Sequence, residues 1–343
     1  MLQKEHNKKN IIWINTAKAL CMLFVFLYHA EWYLDFRLLK VDGFYHPFYI
    51  NCFFFLSGYL LFRKQLSQPV INEGLVEFER GGGRLLLSNI ICRIAIPSIL
   101  FSLIEFFPKK IIRGEGIDFQ DMVFETIGGG TYWFTSALVV AELVLLLLLL
   151  TRNRSIWFYV TACFILGLLG MEIVKHGILN SGIWAWRQGL ISLLFIGLGG
   201  MYWRYEKQID KMMKWWFVLS LLLMYIVMVI GLKGYNDPLI CTLTIQPLGL
   251  ITSAFACMML VWLCKKLPDI KLLSFIGLNS LGFYFLSGAL PNIYSILFSR
   301  ITGLTMTSIL LIVFVSSILT AYSAILVLTK YFPWVFDIRL LRK

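Results

Sequence analysis

Apolar runs of about 20 residues recur along the whole chain, and they constrain its fold more than any other feature. Since a helix rises 1.5 Å per residue, such a run crosses a hydrocarbon core about 30 Å thick. Of the 343 residues, 59% are hydrophobic and 15% are charged, whereas soluble domains average about 45–50% and about 25%. We therefore predict an all-α, polytopic transmembrane helical bundle. Its ten spans are expected near residues 12–34, 47–63, 88–107, 133–150, 156–174, 183–203, 215–233, 239–264, 272–297 and 304–330.

The connections between these runs are short, which favours one bundle over several domains. We expect a single membrane-embedded domain over residues 1–343, with short cytoplasmic tails at 1–11 and 331–343. The first run is too long for a signal peptide and lacks a small-residue cleavage pattern. The sequence contains no internal repeat, so it gives no support to an inverted-repeat transporter fold.

The net charge of +12 is explained by membrane topology. Lys and Arg residues concentrate in every second connection, which carries about twice as many as the alternate ones, and basic connections stay in the cytoplasm. Both termini are therefore predicted to be cytoplasmic, with an even number of spans. No basic stripe alternates with aromatic residues, so the expected partner is the lipid bilayer and not nucleic acid. The oligomeric state is left open.

Cysteine usage argues against a metal site. The seven cysteines lie mostly inside apolar runs and form no CxxC pair, so we interpret them as packing residues and predict no metal.

Four ionisable residues fall inside predicted spans, where each costs several kcal/mol unless it faces the bundle interior. They are Lys18, His29, Arg93 and Glu142. Lys18 precedes His29 by 11 residues, which is within about 20° of three full turns, and Asn15 lies near the same line. The rise from Lys18 to His29 is about 16 Å. This polar face starts near the inner leaflet and ends at a histidine in the outer half, which suggests a path through the bundle.

Structural interpretations of the same residues stay open. His29 could donate a hydrogen bond between helices, and Lys18 could extend to the inner headgroups. Glu142 could pair with Arg93 or line a water cavity. Glu31 lies on a different face from His29 and is expected to be solvated at the outer interface.

Several motifs occur in order along the chain. Asn15, Lys18 and His29 are followed in the second span by Phe54-Phe55-Leu56-Ser57-Gly58, then by Trp133-Phe134, and later by Asn279-Ser280-Leu281 with Tyr284. In spacing and order this pattern resembles the acyltransferase 3 family of integral membrane O-acyltransferases, over nearly the whole chain.

The sequence departs from the family pattern at three positions. Asn15 replaces the usual acidic residue, and Ser287 stands where a histidine is common. The basic R-x-x-R motif before the third helix is half present: Arg93 with the following Pro97 fits, but its first position is Ile90.

The resemblance implies acyl transfer from cytoplasmic acyl-CoA, most often acetyl-CoA, to a hydroxyl of a surface or lipid-linked glycan at the bacterial inner membrane. It implies no permanently bound cofactor. His29 would be the general base or a covalent nucleophile. Lys18 and Arg93 would meet the CoA phosphates, supported by Asn15 and Glu142. Residues expected to pack helices or shape the pocket are Ser57, Gly58, Trp133, Asn279, Ser280 and Tyr284.

Two other classes of function stay open. A transporter or flippase for a lipid-linked saccharide would also have about ten spans, and it predicts helices broken in mid-membrane. Most prolines lie at span ends, with Pro247 and Pro291 as the exceptions. A membrane sensor or assembly subunit would need no histidine in the bundle.

Overall fold

The computed structural model describes residues 2–38, 44–45, 47–66, 83–114, 116–151, 155–175, 183–231, 247–301 and 303–342. Within these ranges the regular structure is entirely helical. The α-helices are α1 (Leu2–Leu34), α2 (Tyr49–Leu66), α3 (Gly83–Ile90), α4 (Ile96–Arg113), α5 (Phe119–Thr126), α6 (Trp133–Leu150), α7 (Ile156–Lys175), α8 (Trp186–Met212), α9 (Trp215–Ile226), α10 (Pro247–Lys266), α11 (Lys271–Leu278), α12 (Ser280–Leu286), α13 (Ala289–Phe298) and α14 (Met306–Tyr331).

Among the described residues, six helical stretches are long and apolar enough to cross a membrane, and two bent pairs raise the number to as many as eight. The six are Ile12–Leu34, Gly83–Ile111, Trp133–Leu150, Ile156–Val174, Gly249–Lys266 and Met306–Tyr331. The all-α transmembrane class is thus confirmed. Ten spans with cytoplasmic termini stay a prediction. Helix α2 was expected as a span, but it has Arg63 and Lys64 in its last turn and is not among the six. The start of the expected span 239–264 lies outside the described residues.

The expected span 272–297 consists of three helices, α11 to α13. Asn279 separates the first two with φ −104° and ψ 21°, and its side-chain amide donates to the carbonyl of Phe275 at 2.9 Å. The second break, at Ser287 and Gly288, bends the chain by 43°. Pro291 explains it, because proline has no N–H to give to the carbonyl of Ser287, four residues earlier.

The third predicted span contains a π-helical turn at Ile91–Ala95. Pro97 cannot donate to the carbonyl of Arg93, and its ring would crowd that carbonyl in a regular α-helix. The helix widens instead, and the N–H of Ile96 donates to the carbonyl of Ile91. Such π turns often occur at functional sites, and this one contains Arg93.

The chain forms two compact units. The first comprises Met1–Phe53, Lys207–Pro238 and Gln246–Tyr331, and the second comprises Phe54–Glu206, Leu239–Ile245 and Phe332–Lys343. Each unit is assembled from separated stretches of chain, so a single domain over 1–343 stays a prediction. Most of the expected tail 331–343 belongs to the second unit.

Helix α1 is the centre of the first unit, where it contacts α10, α11, α12, α13 and α14. At its end, Ala30 and Leu34 pack with Ile309, Leu310 and Val313 of α14. In the second unit, α2 and α8 approach closely through small residues: Gly58 lies against the backbone of Ile196, and Gly199 lies against the carbonyl of Phe55. Small residues allow such contacts between membrane helices.

Candidate functional site

Asn15, Lys18 and His29 lie on one unbroken helix in the structure. Since α1 runs unbroken from Leu2 to Leu34, regular helical geometry applies between Lys18 and His29, and their separation of about 16 Å along the axis holds. Asn15, Lys18 and His29 are each half-buried, whereas the apolar residues between them are buried; these are Met22, Val25 and Phe26.

The His29 imidazole lies between two tyrosine rings. The Tyr28 ring meets it edge-on with 5.5 Å between centroids, and the Tyr33 ring is stacked with it at 6.2 Å. Within the part of the chain that the structure describes, neither ring nitrogen of His29 has a hydrogen-bond partner. The described residues therefore do not supply the interhelical hydrogen bond expected of a structural histidine.

The late sequence motif belongs to the same unit as His29 and contacts its helix. Phe283 of α12 meets Phe26, one turn before His29, in an edge-on contact of 6.4 Å. Gly277, two residues before Asn279, lies against the backbone of Asn15. Asn279 and Ser280 are half-buried and Tyr284 is buried. The structure thus brings together the first and last motifs, which are about 250 residues apart in the sequence.

Glu31 is not solvated, contrary to the expectation from sequence: it is only 3% exposed. One carboxylate oxygen accepts from the N–H of Leu38 at 2.9 Å, and the other accepts from the hydroxyl of Tyr45 and lies 3.5 Å from Nη1 of Arg37. The expectation was wrong because Leu38 and Tyr45, which follow α1 in the chain, donate hydrogen bonds to the Glu31 carboxylate. The sequence alone gives no sign of these contacts.

The Glu31 cluster reaches the His29 site through Arg37. The Arg37 guanidinium lies over the Tyr28 ring at 5.9 Å from its centroid, and Tyr28 flanks His29. Burial raises the pKa of the Tyr45 hydroxyl well above its usual range, and the nearby Glu31 carboxylate adds to the rise. Tyr45 therefore stays protonated and remains a hydrogen-bond donor at neutral pH.

The other predicted site residues lie in the second unit, so the structure does not combine them with His29 in one unit. Nε of Arg93 donates to Asp337 at 2.8 Å; Asp337, and not Glu142, is its ion-pair partner. Glu142 is buried in α6 with 8% exposure.

Three predicted pocket or packing residues also belong to the second unit. Ser57 is half-buried beside Gly58, which packs on α8. Trp133 begins α6 and meets the next ring, Phe134, edge-on at 6.3 Å. Phe134 in turn packs on Phe54 at 5.1 Å, so the Phe-Phe-Leu-Ser-Gly and Trp-Phe motifs are in contact.

Across the ranges that the structure describes, no group of three His, Cys, Asp or Glu side chains is placed to hold a metal ion.

The model of the acyltransferase 3 family, which is described as an acyltransferase domain, matches residues 11–329. The chain belongs to this family. As an acyltransferase 3 protein it is a multi-pass membrane acyltransferase, and every predicted site residue falls within the matched range. Searches of curated proteins and of solved structures found no match.

Proposed function

We propose that this acyltransferase 3 protein transfers an acetyl group from cytoplasmic acetyl-CoA to a hydroxyl of a surface or lipid-linked glycan, at the bacterial inner membrane. The observation that carries the proposal is the half-buried His29 imidazole, which has no hydrogen-bond partner among the described residues and shares a helix face with Lys18. Family membership supplies the reaction class.

The reaction needs one group that accepts and then returns a proton. A ring nitrogen of His29 takes the proton of the acceptor hydroxyl while that oxygen attacks the thioester carbonyl carbon. The new C–O bond forms, the C–S bond breaks, and the CoA thiolate leaves with the proton of the imidazolium. The products are the acetyl ester and CoA, and His29 is neutral again.

The length of α1 suits a donor that enters from one side and an acceptor that enters from the other. Lys18 would meet CoA phosphates, whose negative charges favour basic groups. The reacting thioester is held at the far end of the flexible arm of CoA. That arm could cover the distance of about 16 Å along α1 to His29.

His29 could instead attack the thioester itself and form an acyl-imidazole before the glycan arrives. The two routes differ in kinetics. A covalent intermediate gives ping-pong behaviour and a burst of CoA release without acceptor, whereas a general base requires both substrates to be bound together.

A transporter or flippase for a lipid-linked saccharide is the second candidate, since one observation favours it. The break of the predicted ninth span at Asn279 and again at Ser287 and Gly288 is the kind of mid-membrane interruption that this class predicts. Family membership favours acyl transfer.

The decisive experiment is transfer of labelled acetyl from acetyl-CoA in proteoliposomes that contain a glycan acceptor. His29→Ala should lower the rate at least about 100-fold, as expected for loss of a general base, with thermal unfolding unchanged. Trp32→Phe, at an exposed ring three residues further along α1, is the matched control and should keep its activity. Full transfer by His29→Ala would refute the catalytic role, and glycan export without any acyl transfer would favour the transporter.

Mass spectrometry of glycans from cells with and without the protein would identify the acceptor and the acyl group.

A further inference from the structure

The segment that follows α14 folds back onto the helix that contains Arg93. The Phe336 ring stacks on Phe101 of α4 with 5.8 Å between centroids, and the 3-10 helix Ile338–Arg342 contacts the π turn Ile91–Ala95. This segment lies beyond residues 11–329, which the family model matches.

One carboxylate of the segment joins two arginines. Asp337 Oδ2 accepts from Nε of Arg93 at 2.8 Å and from Nη2 of Arg339 at 2.7 Å. Asp337 Oδ1 accepts from Nε of Arg339 at 2.8 Å. Arg339 thus binds the carboxylate with two nitrogens, and Arg93 shares one of its oxygens. Together, Arg93, Arg339 and Asp337 carry two positive charges and one negative charge.

Arg339 also reaches the last turn of α3. Its Nη1 donates to the hydroxyl of Ser88 at 3.3 Å, and its Nη2 donates to the side-chain oxygen of Asn89 at 3.1 Å. The next residue, Ile90, is fully buried and occupies the position where the R-x-x-R pattern has its first arginine. The second guanidinium therefore comes from a residue about 250 positions later in the sequence and lies within one residue of that position.

We propose that Arg93 and Arg339 form one phosphate-binding site for the CoA part of the donor, and that Asp337 occupies it until the phosphate arrives. This inference rests on the proposed function, because it takes acyl-CoA as the donor. Planar guanidinium groups bind carboxylate and phosphate with the same two-nitrogen geometry. Asp337 already holds Arg339 in that geometry, and it keeps Nε of Arg93 directed at the same oxygen. The phosphates of CoA carry more negative charge in total than the single carboxylate of Asp337, which favours their exchange for it beside two arginines.

The exposure of the cluster suits exchange with a ligand. The Arg93 side chain is 61% exposed and that of Arg339 is 33% exposed, whereas the Asp337 side chain is 12% exposed. A solvent-exposed guanidinium gains little from a carboxylate partner alone. These ion pairs therefore contribute only modestly to anchoring the segment, beside the Phe336–Phe101 contact.

The test measures CoA binding to the full-length protein in nanodiscs of uncharged phosphatidylcholine, by calorimetry. Arg93→Ala and Arg339→Ala should each weaken CoA binding at least tenfold, and Asp337→Asn should strengthen it threefold or more. Arg204→Ala removes an exposed arginine elsewhere in the same unit and should leave binding unchanged. Dephospho-CoA shows whether the site holds the 3′-phosphate: the effect of Arg339→Ala should shrink with this probe if it does, and persist if the site holds the diphosphate.

Several outcomes would overturn the proposal. CoA binding by both Arg339→Ala and Arg339→Lys at the wild-type level, with the fold intact, would leave only an anchoring role. Arg339→Lys keeps the positive charge but cannot bind a phosphate with two nitrogens, so it should weaken CoA binding several-fold. It also provides the test if Arg339→Ala fails to fold. Arg339-dependent retention of phosphatidylglycerol by the purified protein, without any effect on CoA binding, would assign the phosphate to a lipid headgroup instead.

Binding and transfer are measured separately, so this site and the proposed function can fail independently. If CoA binding depends on Arg339 but no acetyl is transferred, the proposed function is refuted and the phosphate site stands. If acetyl is transferred but CoA binding does not depend on Arg339, the function stands and the phosphate site is refuted.

Discussion

Gly277 of α11 lies directly against α1, so that a methyl group at position 277 would overlap the carbonyl oxygen of Asn15. The overlap is with backbone, which cannot rotate away, and the two helices would have to separate. We expect Gly277→Ala to destabilise the protein by about 2–3 kcal/mol, measured as thermal unfolding in detergent. Activity should fall too, because the shift moves the start of the polar face of α1.

Gly288 provides the matched control for this substitution. It lies in the same broken span with φ −85°, and an added methyl group would meet nothing within 4 Å. Gly288→Ala should therefore change the unfolding temperature little. An equal loss of stability at both positions would show that close approach to Asn15 is not the cause.

Glu31 holds the connection after α1 in place, so its charge should matter more than that of other carboxylates nearby. Glu31→Gln keeps the size of the side chain, but its amide group cannot accept from both Tyr45 and Leu38, and Arg37 loses its ion-pair partner. We expect a loss of about 2 kcal/mol, the usual range for hydrogen bonds to a charged group. Thermal unfolding measures it. Asp35→Asn, at an exposed carboxylate four residues later, should stay within about 0.5 kcal/mol of the original protein; a similar loss in both variants would contradict a specific role for Glu31.

The helices were predictable from sequence because lipid imposes a length and a composition on them. The predicted starts at 133 and 156 coincide with those of α6 and α7, since turn-forming or charged residues flank those runs. The π turn and the Ser287 break also have a local cause, in Pro97 and Pro291, although periodicity alone did not reveal them.

Pairings between distant residues could not be predicted in the same way. Glu31 looked like an interfacial carboxylate because its partners come from a connection without periodicity. The Arg93–Asp337 pair joins residues 244 positions apart, and no local pattern specifies it. The alignment of Asn15, Lys18 and His29 on one face of α1 could be predicted from the sequence, because the geometry of a single helix determines which residues share a face.

Asp337 should make the stability of the second unit depend on pH in the acid range. Its hydrogen bonds with Arg339, and then with Arg93, hold the pKa of the carboxyl well below its usual range. A carboxyl group with a lowered pKa in the folded state contributes stability above its unfolded value of about 3.9. That contribution is lost as pH falls through the folded pKa.

We therefore expect Asp337→Asn to lower stability by about 1 kcal/mol at pH 7. The difference from the original protein should narrow steadily below pH 4, in thermal unfolding scans at a series of pH values. The Asp269→Asn variant, at an exposed carboxylate of the first unit, should show no such narrowing. A constant difference between pH 7 and pH 3 would mean that the charge of Asp337 does not stabilise the fold.

Lys18 and His29 occupy opposite ends of one helix face, so their substitutions should separate donor binding from chemistry. If Lys18 meets a CoA phosphate, Lys18→Gln raises KM for acetyl-CoA about tenfold, as expected for a lost charge-assisted hydrogen bond. It should leave kcat nearly unchanged, and Lys18→Arg should restore most of the affinity. His29→Gln should instead lower kcat with little change in KM, because a general base acts in the transition state. Initial rates in proteoliposomes at varied acetyl-CoA concentrations measure both constants. A fall in kcat for Lys18→Gln at constant KM would place Lys18 in the chemical step and contradict its assignment to the donor phosphates.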